Sequence, residues 1–243
     1  IMSILVGCAE KSPALSPSLD GKEQSGTEKE SKGEVMVNVN PEMEALTAMD
    51  VVSQMKVGWS LGNTMDATNG TLIKSMDPIQ WETGWGNPET TEELIRTVIE
   101  KGFNVIRIPV SWNDHILVNE NYKIEESWMN RVQEIVDYAY DNGAYVILNA
   151  HHESWYYPYY DNKDKAEEMM RAVWIQIADR FQDYDEHLVF EGMNEPRKIG
   201  TPVEWNGGDQ EGWEMVNYLN NVFVDTIRES GGNNPYRILM IPG

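Results

Sequence analysis

From about Pro41 onward, short apolar runs that read as strands alternate with stretches in which apolar residues recur every three or four positions, the spacing of a helix face. Lys56 to Asn63 predicts a first short strand, and Leu94, Ile95 and Val98 give a helical stripe that ends at Gly102. Val105 to Val110 is a second strand. Trp128, Val132, Ile135, Val136 and Ala139 lie at helical spacing, Asn142-Gly143 stops that helix, and Tyr145 to Leu148 makes a third strand. The cycle repeats with a helix on Met170, Val173, Trp174, Ile177 and Phe181 and a fourth strand from Leu188 to Met193. A helix on Met215, Leu219, Val222, Phe223 and Ile227 then leads to a fifth strand from Arg237 to Ile241. Strands and helices in strict alternation are the mark of a parallel sheet covered by helices.

Five strands with four intervening helices fit two architectures, a doubly wound open sheet or the first five-eighths of a (β/α)8 barrel. Length favours the sheet, because a barrel takes about 250 residues and roughly 200 follow Pro41. Local chemistry favours the barrel. No glycine-rich phosphate loop follows the first strand, as a nucleotide-binding open sheet would require, whereas polar and aromatic residues crowd nearly every strand's C-terminal end. In a barrel those ends form one face and carry the active site. The expected fold is therefore α/β, a (β/α)8 TIM barrel represented by roughly its first five strands.

Upstream of Pro41 the pattern changes. Leu5-Val6-Gly7-Cys8 resembles the lipobox of bacterial lipoproteins, so residues 1–8 read as a truncated signal peptide and Cys8 as a lipidation site. Residues 9–40 are Ser, Lys, Glu, Gly and Pro with few large apolar groups, which reads as a disordered polar linker. No run of 18 or more apolar residues occurs, so the expected link to a membrane is the lipid alone.

The 243 residues are 41% hydrophobic and 24% charged, an ordinary composition with enough chain for one sizeable core. Acidic residues outnumber basic ones 40 to 19, and a net charge of −21 repels phosphate backbones, which excludes nucleic acid as a partner. A single cysteine makes neither an internal disulfide nor a thiolate metal cage. Of the nine tryptophans, Trp128, Trp174 and Trp213 fall in helical patterns and read as core. Trp59, Trp81, Trp85, Trp112, Trp155 and Trp205 fall in or just after strand ends, where flat rings suit the C–H faces of sugars, so a polysaccharide fits better than a phosphorylated metabolite.

Four of the five strand ends carry candidate chemistry: Trp59 to Asn63, Ser111-Trp112, Asn149 to Trp155 and Asn194-Glu195-Pro196. Glu195 follows an apolar strand and is stopped by a proline, so it is expected to project from the strand end, partly desolvated, as a general acid; a helix-capping glutamate is the alternative. Arg107 sits among branched apolar residues, where a guanidinium needs a carboxylate, either in a structural ion pair or as a clamp on an active-site acid. His151-His152-Glu153 is not expected to hold a metal, because adjacent strand residues point to opposite faces and no His-x-x-x-His or cysteine partner accompanies them. One barrel-facing imidazole as hydrogen-bond donor or proton relay fits better, with a core histidine as the plainer alternative.

Gly58-Trp59-Ser60-Leu61-Gly62-Asn63-Thr64, Trp81-Glu82-Thr83-Gly84-Trp85-Gly86-Asn87-Pro88, Ile106-Arg107-Ile108-Pro109-Val110, His151-His152-Glu153 and Asn194-Glu195-Pro196, in that order, resemble glycoside hydrolase family 5, the cellulase family. The resemblance runs from about Met55 to Gly243, making 41–243 an incomplete catalytic domain. It implies an endo-β-1,4-glucanase with a retaining mechanism, in a subgroup that includes enzymes of mixed-linkage glucan, xyloglucan and sometimes xylan. It implies Glu195 as the acid/base, Asn194 on the 2-hydroxyl of the sugar, Arg107 against the nucleophile carboxylate and His151 in the subsite of the cleaved sugar. His152, Trp59, Asn63, Trp112 and Trp155 would line the cleft. No cofactor is expected, and the protein is expected to be a monomer, secreted or lipid-anchored at a bacterial cell surface, acting on β-glucan.

One part of the family pattern is missing. Retaining cleavage needs a second carboxylate about 5 to 5.5 Å from the first, and the family supplies it from the seventh strand, beyond Gly243. Glu153, Glu191 and Glu204 are near in sequence, but none holds the expected place, so this stretch alone is expected to be inactive. The rival functions are a non-catalytic glycan-binding lipoprotein and a related xyloglucanase, mannanase or xylanase.

Overall fold

The computed structural model describes residues 41–68 and 77–243, so the expectations for Cys8 and for 9–40 lie outside the described residues. Two short helices, α1 (Pro41–Ala45) and α2 (Ala48–Gln54), come first, and Thr47 starts α2 with a capping box closed by Asp50. Strand β1 (Gly58–Ser60) is followed by α3 (Pro78–Glu82) and α4 (Glu92–Glu100), whose first turns are capped by Asp77 and Thr91. After α4 the chain turns at Gly102, with φ 101°, into β2 (Val105–Ile108). A small hairpin, β3 (Ile116–Leu117) with β4 (Lys123–Ile124), precedes α5 (Glu126–Tyr140) and β5 (Tyr145–Asn149). The remaining elements are α6 (Lys163–Arg180), β6 (Leu188–Glu191), α7 (Gln210–Glu229) and β7 (Leu239–Met240).

Strands β1, β2, β5, β6 and β7 form one parallel sheet whose spatial order is their order along the chain. That order decides between the two architectures. A doubly wound sheet reverses direction at a switch point, whereas a barrel wall adds each strand beside the last. The chain is thus part of a (β/α)8 barrel, and the open nucleotide-binding sheet is excluded. Among the described residues no helix is long and apolar enough to cross a membrane.

The helical stripes read from the sequence do the packing. Trp128, Val132, Ile135 and Val136 of α5, Met170, Val173, Trp174 and Ile177 of α6, and Leu219, Phe223 and Ile227 of α7 are buried in one continuous core. Each such large side chain contributes about 1.5–3 kcal/mol. Buried polar groups tie the layers. Arg131 of α5 donates to both oxygens of Glu82 in α3, at 2.8 and 3.1 Å, and to the Thr90 carbonyl. Arg237, buried before β7, donates to the carbonyls of Phe181, Tyr184, Asp185 and Leu188 and so fixes the turn between α6 and β6. His115 stacks on Trp128 at 3.7 Å and meets Glu125 through Nδ1 at 3.0 Å, pinning the β3–β4 hairpin to α5.

One tryptophan departs from expectation. Trp213 was expected in the core but is 57% exposed. It lies two residues ahead of Met215, about 200° around the helix from the stripe that faces the sheet, and its indole donates outward to the Gly207 carbonyl.

Gly192, which follows β6 directly, lies under α7: a Cβ there would sit 2.7 Å from the Phe223 ring. Gly192→Ala is expected to cost about 1–3 kcal/mol through overpacking and to lower the urea midpoint. An unchanged midpoint would show that α7 does not press on the strand end.

Candidate active site

At the strand ends the first construction is an ion pair. Arg107 of β2 donates from Nε to Glu191 Oε2 and from Nη2 to Glu191 Oε1, each at 2.7 Å, and Nη2 also donates to Asn194 Oδ1 at 3.0 Å. Burial opposes the guanidinium charge. The bidentate grip of Glu191, with the nearby charges of Asp66 and Glu195, outweighs it and raises the pKa of Arg107. Of the two roles open from the sequence, the described residues show the ion pair: Arg107 holds Glu191, and through Asn194 it reaches the segment that carries Glu195, while no described carboxylate fills the place of the nucleophile that the resemblance sets against Arg107.

That segment is bound from several sides. The Asn194 N–H donates to the Ala150 carbonyl at 2.9 Å, and the Tyr156 hydroxyl reaches the Asn194 and His151 carbonyls at 2.8 and 2.7 Å. Glu195 then takes φ 45°, the left-handed region that a glutamate enters only when its surroundings impose it. Its side chain is 56% exposed, and Oε2 accepts from Arg197 Nη1 at 3.1 Å. The expected desolvation is therefore not provided by the described residues: Glu195 lies on the loop past the strand end, beside a cation, instead of in an apolar wall.

His151 is held in one tautomer. Asn149 spends Oδ1 on the Val110 N–H at 3.0 Å, which turns its amide nitrogen toward His151 Nδ1, also at 3.0 Å. The imidazole proton then sits on Nε2, 3.9 Å from Asp66 Oδ2. Burial, followed by the charges of His152 and Arg107, holds His151 down to about 3, so it is a neutral donor.

The premise that His151 and His152 point to opposite faces fails, because β5 ends at Asn149 and both residues belong to the loop. Their rings meet edge to face at 4.5 Å and both line the cleft. With the buried Asp66 behind them they bring three ligand atoms within 4.8 Å of one another, one of the groupings among the described residues close enough to approach one cation.

A cleft of about 440 Å³ is bordered by Trp85, His151, His152, Tyr157, Asn194 and Glu195. Trp85 presents the aromatic surface, 5.8 Å from His152 and held by its indole on the Thr68 carbonyl. Trp112 and Trp155 do not line it. Both are buried, with the Trp112 indole on the Asn149 carbonyl and the Trp155 indole on Glu153 Oε2 at 2.6 Å. Glu153 also accepts the Trp112 backbone N–H at 2.5 Å, and complete burial pushes its carboxyl up to about 8. This trio backs the site from behind. Trp59 packs half-buried against the core, Trp81 is buried in α3, and Asn63 is exposed, so these three also lie outside the walls of this cleft.

Sequence reasoning missed Asp66 and Arg197. Asp66 is buried three residues past Asn63 in the loop after β1, where a lone acidic residue between Met65 and Ala67 was the available signal. Arg197 stands two residues after Glu195 and had no periodicity to mark it.

The cellulase model of glycosyl hydrolase family 5 matches residues 66–243. Endoglucanase B of Neocallimastix patriciarum is 52% identical over 201 residues, covering 82% of this chain and 42% of that protein. Endoglucanase A of Ruminococcus albus is 50% identical over 201 residues, covering 82% of this chain and 54% of that protein. Among solved structures, a GH5-4 broad-specificity endoglucanase from Ruminococcus champanellensis with bound cellotriose superposes with a TM-score of 0.78 at 51% identity, over 80% of this chain and 56% of that one. The chain thus spans about half the length of these relatives.

Burial holds both His151 and His115 down to about 3, against about 6.5 for an open imidazole. Between those pH values the unfolded chain takes up protons that the folded chain refuses, so these two groups make stability fall as pH drops through that window. In ¹⁵N spectra at about pH 5, where a free imidazole is charged, His151 is expected to show the neutral pattern with its proton on Nε2. A titration midpoint near the open value would mean that the ring is solvated.

Proposed function

The chain belongs to glycosyl hydrolase family 5, the cellulase family, and from that premise we propose that it is the N-terminal part of an endo-β-1,4-glucanase that cleaves β-glucan with retention. The observation that carries the reading is the clamp of Arg107 on Glu191 and Asn194, which sets Glu195 at the mouth of a cleft shared with Trp85 and His151.

In this reading a glucosyl unit lies in the cleft with a hydroxyl accepting from His151 Nε2 and its 2-hydroxyl on Asn194. Glu195 gives its proton to the glycosidic oxygen while a second carboxylate attacks the anomeric carbon and the C–O bond breaks. The departing sugar keeps that proton; water then cleaves the glycosyl-enzyme as Glu195 takes a proton from it, which restores the acid. The second carboxylate comes from residues that follow Gly243 in the full-length protein. Glu191 and Glu153 are already committed, one to Arg107 and the other to the two tryptophans behind the site.

Mixed-linkage glucan and xyloglucan fall within the same reading, since the loops that would discriminate between them lie partly outside this stretch. The lipobox-like Leu5-Val6-Gly7-Cys8 supports export to a bacterial surface with a lipid on Cys8, and the reading takes the enzyme as a monomer.

In the full-length enzyme, Glu195→Ala is expected to lose about 10²–10⁴-fold on soluble β-glucan. It should keep most of its kcat/KM on an aryl cellobioside whose leaving group needs no proton, and azide should restore turnover of that substrate. Parent-like hydrolysis of β-glucan by the variant would overturn the assignment. The 243-residue chain alone is expected to show no turnover, and substantial activity from it would refute the placement of the nucleophile.

A further inference from the structure

Glu195 has an unusual setting for a proton donor. Its backbone is left-handed and its side chain more than half exposed, so among the described residues no buried wall selects its rotamer. The side chain that reaches it is Arg197, which is itself built in. Nη1 donates to Glu195 Oε2 at 3.1 Å, and Nε donates to Glu204 Oε1 at 3.0 Å. The other oxygen of Glu204 is tied to the Gly200 N–H at 2.7 Å, and the guanidinium lies 4.3 Å over the ring of Trp205. One edge of the Arg197 fork is thus spent on an anchor and the other on the candidate acid.

We propose that Arg197 is a positioning residue, which holds the Glu195 carboxyl by one oxygen so that the other faces the glycosidic bond, with Glu204 and Trp205 as its fixed support. The inference rests on the reading of Glu195 as proton donor and deepens it. When Glu195 has released its proton to the leaving oxygen, its charge faces the Arg197 guanidinium, a charge-assisted contact that is strongest in the step where the anion forms. Arg197 therefore matters most where proton donation is needed. Trp205, 71% exposed, keeps its outer ring face open beside this arrangement.

Among the described residues, the charged and titratable groups facing Glu195 are Arg197 and, through Arg197, Glu204 on its own loop, Arg107 from β2 and His152 from the loop after β5.

The test uses the full-length enzyme with Arg197→Ala, Arg197→Lys and Glu204→Gln, measured as kcat/KM on soluble β-glucan and on a dinitrophenyl cellobioside. Arg197→Ala is expected to lose roughly tenfold to a hundredfold on β-glucan, less than removal of the acid itself, and far less on the aryl substrate. Arg197→Lys should recover part of the loss on β-glucan. Glu204→Gln leaves the arginine in place and is expected to give the same substrate pattern, more weakly.

Equal losses on both substrates, or intact β-glucan activity in Arg197→Ala, would overturn the inference. If the parent enzyme or Glu195→Ala behaves contrary to the proposed function, that reading fails first. If both behave as expected and Arg197→Ala does not, only the role of Arg197 is lost.

Discussion

The paired hydrogen bonds between Arg107 and Glu191 are the constraint on which the site depends. They link β2 to β6 across the intervening β5, inside a sheet whose other side chains are mostly aliphatic. Removing either partner would leave a charge stranded away from water, a cost of about 3–5 kcal/mol for a buried pair. The bidentate geometry fixes how the two strand ends face one another, since both Glu191 oxygens and two guanidinium nitrogens are engaged at once. Asn194 completes the fork and carries that placement one residue short of Glu195.

A second set of contacts then removes the remaining freedom of the loops. Tyr156 grips two carbonyls from different loops, Glu153 joins two indoles, and Asn149 divides its amide between a backbone N–H and an imidazole. None of these groups needs to touch a sugar. Their effect is to hold neighbours in one rotamer and one protonation state before any ligand arrives, and a site arranged in advance does not reorganise at the moment of reaction.

What the sequence disclosed follows from the range of the forces involved. Helices α4 to α7 and the five sheet strands were legible because burial on one face imposes a period, and glycines such as Gly102 and Gly143 mark where the period stops. The β3–β4 hairpin was not, since two-residue strands leave no period to read. Motifs drew Glu195, Asn194, Arg107 and His151 from the same end of the sheet, where Arg107, Asn194 and His151 are brought together with Glu195, but the indoles were misjudged: Trp112 and Trp155 follow strands like Trp85, yet each has an acceptor behind the site that draws it inward. Which way a tryptophan turns is decided by a partner distant in sequence. Arg197 escaped for the opposite reason, because its meaning comes wholly from the carboxylates it meets.

The monotonic strand order has a consequence for how the molecule is made. Each strand pairs with the one before it, and α6 and α7, the helices flanking β6, pack on one another. A chain leaving the ribosome therefore never has to wait for a distant segment to fill a gap in the middle of the sheet; every new unit docks on a template already synthesised. Loop-closure entropy is met in small instalments. Assembly by accretion of this kind leaves one growing margin exposed at any instant, and that margin is where a chaperone would have to act.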